Sequence, residues 1–79
     1  MIKLNIFDME GFLQAVNGCS GAVKLLHPDG RKETINHQYG MQNELLQRYR
    51  ENENYLRLSL DIPTPKDYLR IVFFAIGDC

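Results

Sequence analysis

The residues of this chain best suited to nucleophilic or metal chemistry are two cysteines and two histidines, namely Cys19, His27, His37 and Cys79. Protein zinc sites commonly take their ligands in closely spaced pairs, and these four residues show no such pairing. Cys19 lies in a small-residue segment at the predicted end of a helix, where the negative end of the helix dipole disfavours a thiolate. We therefore expect no metal, no cofactor and no nucleophilic cysteine, and we predict a protein without enzymatic activity.

Three aspartates, Asp61, Asp67 and Asp78, are the carboxylates that could carry acid-base chemistry if a cleft held them together. Asp67 stands in the first turn of a predicted helix, and Asp78 follows a predicted helix end, so structural roles account for both. A phosphate-binding glycine loop is also not predicted, because Gly18 and Gly21 are not followed by a lysine and a helix.

Composition predicts one small globular domain over residues 1–79, with 44% hydrophobic and 24% charged residues. The net charge is -1, from 9 basic and 10 acidic side chains that are spread along the chain. Nucleic-acid binders usually concentrate positive charge, so this balance disfavours nucleic acid as a partner. Nothing at the N-terminus resembles a signal peptide, and no apolar run could span a bilayer. With only two cysteines, we expect a cytoplasmic protein outside any membrane.

Six elements are predicted before the last segment, two of them the strands of a hairpin. Alternating apolar residues indicate strands, apolar stripes at helical spacing indicate helices, and Pro and Gly mark the turns. The predicted elements are a strand over 2–6, a helix over 8–17 capped by Asp8, a hairpin over 21–36 turning at 28–30, a helix over 42–53 and a strand over 55–62.

The last segment, residues 64–79, holds the densest apolar run of the chain and fits two predictions. Its β-branched and aromatic residues are typical of a strand. Its start is typical of a helix, because Thr64 can act as the N-cap, with Pro65 in the first helical position and an acid in the first turn. We favour the helix, since it alone separates the charged residues from an apolar stripe. That stripe comprises Leu69, Val72, Phe73 and Ile76.

The helix prediction leads us to expect Phe73 to be buried, and it leaves Phe74 outside the buried stripe. If Phe74 is exposed, it becomes a candidate contact for a partner.

These elements follow the order β-α-β-β-α-β-α, which predicts an α+β open-faced sandwich with helices on one face of a mostly antiparallel sheet. The strand alternative would give β-α-β-β-α-β-β. The first order resembles the ferredoxin-like fold with an added helix, and also the phosphocarrier protein of the bacterial sugar phosphotransferase system. That family carries its phosphate on a histidine at the start of the first helix. The corresponding segment here, Ile6-Phe7-Asp8-Met9, holds no histidine, so that activity is not expected.

A second resemblance runs through nearly the whole chain. The phrases that carry it are Leu26-His-Pro-Asp-Gly-Arg31, Arg50-Glu-Asn52, Tyr55-Leu-Arg-Leu-Ser-Leu-Asp-Ile-Pro-Thr-Pro-Lys-Asp-Tyr68 and Gly77-Asp-Cys79. They resemble a group of small uncharacterised bacterial proteins from gut anaerobes, often encoded among genes of mobile elements. The resemblance implies a compact cytoplasmic domain and no established activity.

Two binding functions are consistent with the predicted sheet. Its open face would carry Tyr55 and Arg57, a pairing that single-stranded nucleic-acid platforms use for stacking and phosphate contact. We favour instead a protein-interaction module, because the chain has more apolar residues than helices on one face can cover. Its partner would be another protein or a second copy of the chain, and nucleic acid is the alternative. The candidate interaction surface comprises Tyr55, Arg57 and Phe74.

Overall fold

The structure is a computed structural model that describes the backbone of residues 2–77 and the side chains of residues 2–74. Its helices and strands follow the predicted order. The last segment is a helix, so the strand alternative is wrong. The second helix begins earlier than predicted, at Tyr39. The bounds are β1 Ile2–Ile6, α1 Met9–Asn17, β2 Lys24–Leu26, β3 Lys32–Thr34, α2 Tyr39–Glu51, β4 Leu56–Asp61 and α3 Pro65–Gly77.

The four described strands form one sheet in the order β1-β4-β2-β3, and all neighbours are antiparallel. β4 pairs with β1 over five positions, from Ile2 opposite Leu60 to Ile6 opposite Leu56. β4 pairs with β2 at only two positions, where Leu60 and Asp61 meet Leu25 and Lys24. The side of β4 that faces β2 is therefore without a strand partner over residues 56–59.

The core lies between one face of this sheet and the three helices. Asp8 caps α1 as predicted, because its Oδ1 accepts a hydrogen bond from the Gly11 amide at 3.1 Å. The predicted stripe of α1 is confirmed, and α2 and α3 add Leu45 and Ile71. The buried apolar residues are Leu4, Ile6, Met9, Phe12, Leu13, Val16, Val23, Leu25, Ile35, Leu45, Leu58, Leu60, Ile62 and Ile71.

The buried side of α3 differs from the predicted stripe. Phe73 is 61% exposed and Leu69 is 50% exposed, so the prediction that Phe73 is buried is wrong. Phe74 is half-buried instead, with its ring centroid 6.4 Å from that of Phe12. Ile71 is fully buried on the same side of the helix. Because Ile71 and Phe74 are apolar but lie outside the predicted stripe, helical periodicity alone could not indicate which apolar side packs.

Asp67 supplies the contact that orients α3. Its carboxylate is 3% exposed and accepts hydrogen bonds from the Gly21 amide at 2.7 Å and the Ser20 amide at 3.2 Å. Asp67, Ile71 and Phe74 share one side of the helix because their spacing is four and then three residues. This carboxylate therefore turns Ile71 and Phe74 inward and leaves Phe73 outward.

The start of α3 lies against the same loop. Thr64 directly precedes the helix, as predicted for its N-cap residue, and its carbonyl accepts the Tyr68 amide at 2.9 Å. A Cβ at Gly21 would overlap Thr64 Oγ1 and stand 3.1 Å from Asp67 Oδ2. Glycine is thus required at position 21 by this close approach.

Candidate functional site

Cys19 has a structural environment in the loop that Asp67 binds. It is half-buried, and its thiol donates to the Ala15 carbonyl at an S···O distance of 3.2 Å. Burial raises the pKa of the Cys19 thiol above its ordinary value, and the negative charge of Asp67 raises it further. A thiol with a raised pKa is a weak nucleophile at neutral pH.

The two histidines lie apart and contact different groups. His27 Nε2 is 2.6 Å from Glu33 Oε1, whereas His37 Nδ1 is 3.4 Å from the Tyr39 hydroxyl. Within residues 2–77, no three His, Cys, Asp or Glu side chains cluster as metal ligands would. Cys79 and Asp78 lie outside the described residues.

Asp61 and Asp67 each have a structural partner. Asp61 Oδ2 accepts from Lys32 Nζ at 3.0 Å, and this hydrogen bond is the main cause of the lowered pKa of the Asp61 carboxyl. The pKa of Asp67 is lowered chiefly by the Gly21 backbone amide, and then by Ser20. Both carboxylates are therefore held ionised, and Asp67 has no free oxygen facing a cleft that would suit it to proton transfer.

Tyr55 and Arg57 lie toward the outer face of the sheet, opposite the helices, as predicted. Arg57 is exposed and stands opposite Asn5 of β1. The half-buried Tyr55 donates its hydroxyl to Asn5 Oδ1 at 3.0 Å. Its ring also packs on Phe7, with centroids 5.2 Å apart and an angle of 40° between planes. Phe7 is 64% exposed, so this pair presents an aromatic surface at one end of the sheet.

The outer face of the sheet is more basic than the net charge of the chain suggests. Strand pairing places Lys24 opposite Asp61 and Leu26 opposite Lys32, all on this face. Glu33 pairs with Leu25 and so belongs to the other face. The strands therefore present four cations and one carboxylate outward within the described residues, namely Lys3, Lys24, Lys32 and Arg57 with Asp61. The even spread of charge along the sequence therefore does not carry over to this face of the sheet.

Phe74 does not join Tyr55 and Arg57 in one surface. Phe74 extends from α3 toward the core, on the helix side of the sheet, whereas Arg57 lies on the opposite face of the sheet. Among residues 65–74 of α3, the exposed apolar residues are Tyr68, Leu69 and Phe73, which we call the α3 surface. Sequence reasoning placed Phe73 in the core and Phe74 outside it, whereas Phe73 is exposed and Phe74 is half-buried. The error arose because Asp67 was considered only as an acid at the helix start.

A cleft opens where the β2–β3 hairpin leaves β4. It contains two adjoining cavities of about 290 and 190 Å³ that share Leu26, His27, Pro28 and Ser59. The smaller cavity is also lined by Arg48 of α2 and Arg57 of β4. Sequence reasoning missed Arg48, because only the packing of α2 beside the sheet brings it to Arg57.

None of the helices within residues 2–77 is long and apolar enough to cross a bilayer. No protein-family model, curated protein or solved structure matched the chain when it was compared with them. Functional inference therefore depends on the α3 surface, the outer sheet face and the cleft.

Proposed function

We propose that this chain is a non-enzymatic interaction module of the cytoplasm that binds protein through the α3 surface, and that it self-associates there. The observation that supports this proposal is the exposure of Phe73, 61%, beside Leu69, 50%, one helical turn away. The inner side of α3 is covered by the protein's own core. On the outer side, Leu69 and Phe73 form an exposed apolar patch next to the exposed Lys66 and Arg70, and we infer that a partner covers this patch.

A second copy of the chain suits this surface for two reasons. A single exposed helix side can pair with itself about a two-fold axis, which is the commonest symmetry of soluble oligomers. The net charge of -1 also leaves little electrostatic repulsion between copies.

Sedimentation velocity over a range of concentrations tests self-association, with two matched variants. We expect the wild-type chain to dimerise and Phe73→Ser to remain monomeric. Phe7→Ser is the control, because Phe7 is equally exposed, at 64%, but lies near Tyr55 rather than on α3. A wild-type chain that stays monomeric at high micromolar concentration contradicts self-association.

If the chain is monomeric, a pull-down from the native host tests the wider proposal of a protein partner. The Phe73→Ser chain then serves as the matched bait, since it removes the α3 surface and leaves the core unchanged. Capture that is equal with both baits contradicts a role for the α3 surface.

A second candidate function is the binding of single-stranded nucleic acid on the outer sheet face. It is favoured by the four cations of that face and by the Phe7–Tyr55 pair beside Arg57. Cations can neutralise phosphates while aromatic rings stack on bases.

Fluorescence anisotropy with labelled oligonucleotides at two salt concentrations tests this function. We expect salt-sensitive binding that Arg57→Ala weakens, with a salt slope reduced by about one unit for a lost phosphate contact. Arg50→Ala is the matched control, since Arg50 belongs to α2 and forms an ion pair with Glu10 at an N···O distance of 3.6 Å. Binding that ignores salt, or that responds equally to both variants, contradicts it.

A further inference from the structure

The cleft beside β4 lies next to the turn of the β2–β3 hairpin. The turn closes on itself, because the His27 amide donates to the Arg31 carbonyl at 2.8 Å and the Gly30 amide to the His27 carbonyl at 3.0 Å. Pairing between β2 and β4 stops at Leu25 and Leu60, and the cleft lies beyond that pair. Pro28, which has no amide hydrogen to donate, lines both of its cavities.

The smaller cavity of this cleft is positively charged. Arg48 and Arg57 reach it from different elements, and no carboxylate residue lines either cavity within the described part of the chain. Neither arginine forms an ion pair with a carboxylate of residues 2–77. The nearby Glu33 is already bonded to His27 Nε2. Two arginine side chains thus line one concave site, and no carboxylate of the described residues pairs with either of them.

We propose that this cavity binds a phosphate group. A phosphate carries close to two negative charges at neutral pH, which two guanidinium groups balance, and its oxygens match the planar donor geometry of arginine. The Ser59 hydroxyl lines the same cavity as a further donor. A volume of about 190 Å³ is large enough for one phosphate and part of the group that carries it.

The phosphate can belong to a free ion, a mononucleotide or a nucleic-acid backbone. The size of the cleft favours the first two over a nucleic-acid strand. A small cleft lined by Leu25, Leu58 and Pro28 suits a single small molecule, whereas a nucleic-acid strand would extend across the exposed cations of the outer face. This proposal is independent of the α3 surface, so neither depends on the outcome of the other's test.

Titration followed by amide NMR spectra tests the site, with inorganic phosphate as the first probe and sodium chloride at matched ionic strength as its control. We expect saturable shifts at the amides of residues 25–27, 48 and 57–59. A 5′-mononucleotide and its nucleoside form the second arm. Tighter binding of the mononucleotide than of free phosphate identifies a nucleotide-like ligand, and equal binding identifies phosphate alone.

Two variants assign the binding to the arginines. Arg48→Gln and Arg57→Gln should each weaken phosphate binding about tenfold, because each removes charge-assisted hydrogen bonds. Arg50→Gln, which changes the same charge two positions along α2 from Arg48, should leave phosphate binding unchanged. Absence of saturable shifts, shifts that chloride reproduces, or an equal loss in the Arg50→Gln chain would overturn the proposal.

Arg48→Gln also separates this site from the nucleic-acid function. Arg48 belongs to α2 and to the cavity, whereas Arg57 belongs to both the cavity and the outer sheet face. If oligonucleotides bind and Arg48→Gln leaves that binding and phosphate binding intact, the cavity is not the phosphate site.

Discussion

The two sides of α3 are built from the same kinds of residue and have opposite roles. The inner side carries Ile71 and Phe74, and the outer side carries Leu69 and Phe73. What separates them is Asp67, whose carboxylate bonds the loop at Ser20 and Gly21. The contact of Asp67 with this loop therefore fixes which apolar side of α3 packs into the core and which stays exposed.

Ile71→Ala and Leu69→Ala compare the two sides directly. Ile71 is fully buried, so its truncation should lower the free energy of unfolding by about 2–5 kcal/mol. Leu69 is half exposed, and its truncation should change that free energy by only about 0.5 kcal/mol. Urea denaturation monitored by circular dichroism measures both. Equal losses contradict the assignment of the inner side.

Neighbouring phenylalanines give a sharper comparison with a smaller effect. Phe74→Ala should cost about 2 kcal/mol, because this ring is only half-buried against Phe12 and a fully buried phenylalanine costs more. Phe73→Ala should leave the unfolding free energy of the monomer nearly unchanged. The same denaturation experiment, run at a concentration at which the chain is monomeric, distinguishes them, and a larger loss at Phe73 reverses the register of α3.

The Asp67 carboxylate should make stability depend on pH. The pKa of Asp67 is lowered in the folded protein. Its contribution to the free energy of unfolding is therefore fully present above the pKa of the unfolded chain, about 4, and is lost as pH falls through the lower pKa of the folded protein. Asp67→Asn should lower the melting temperature at neutral pH. The melting temperatures of the two chains should approach each other in acid. A constant difference between them at all pH values contradicts this linkage.

The reactivity of Cys19 also depends on Asp67, and this is the smallest of the expected effects. In a Cys79→Ser background, Cys19 should react with iodoacetamide more slowly in the folded chain than in the denatured chain, because burial raises its thiol pKa. Asp67→Asn should speed that reaction, since it removes the negative charge beside the thiol. Alkylation rates as a function of pH measure both changes, and a folded rate as high as the denatured rate contradicts the buried environment of Cys19.

The elements themselves were largely predictable because their signals are local. Asp8 and the stripe of α1 lie within one short stretch of chain, and the turn at 28–30 carries its own Pro and Gly. The start of α3 was predictable in the same way, from Thr64 and Pro65. In each case the residues that decide the structure are neighbours in sequence.

The candidate sites were less predictable because they join distant segments. Tyr55 and Arg57 could be assigned to one face from the strand alternation, but Phe74 was assigned to the wrong side of its helix. Arg48 and Arg57 line the same cavity although they belong to different elements, α2 and β4. No local pattern of residues indicates that two such distant side chains line one cavity.

The sequence by itself determined the number, kind and order of the elements, since caps, turns and apolar periodicity act within a few residues. Tertiary structure decided which side of α3 is buried, through a carboxylate that bonds an amide 46 residues away. Strand register likewise decided that a nearly neutral chain presents a basic sheet face, by placing Lys24, Lys32 and Arg57 outward and Glu33 on the other side. Both outcomes depend on contacts between distant segments, and these form only when the chain is folded.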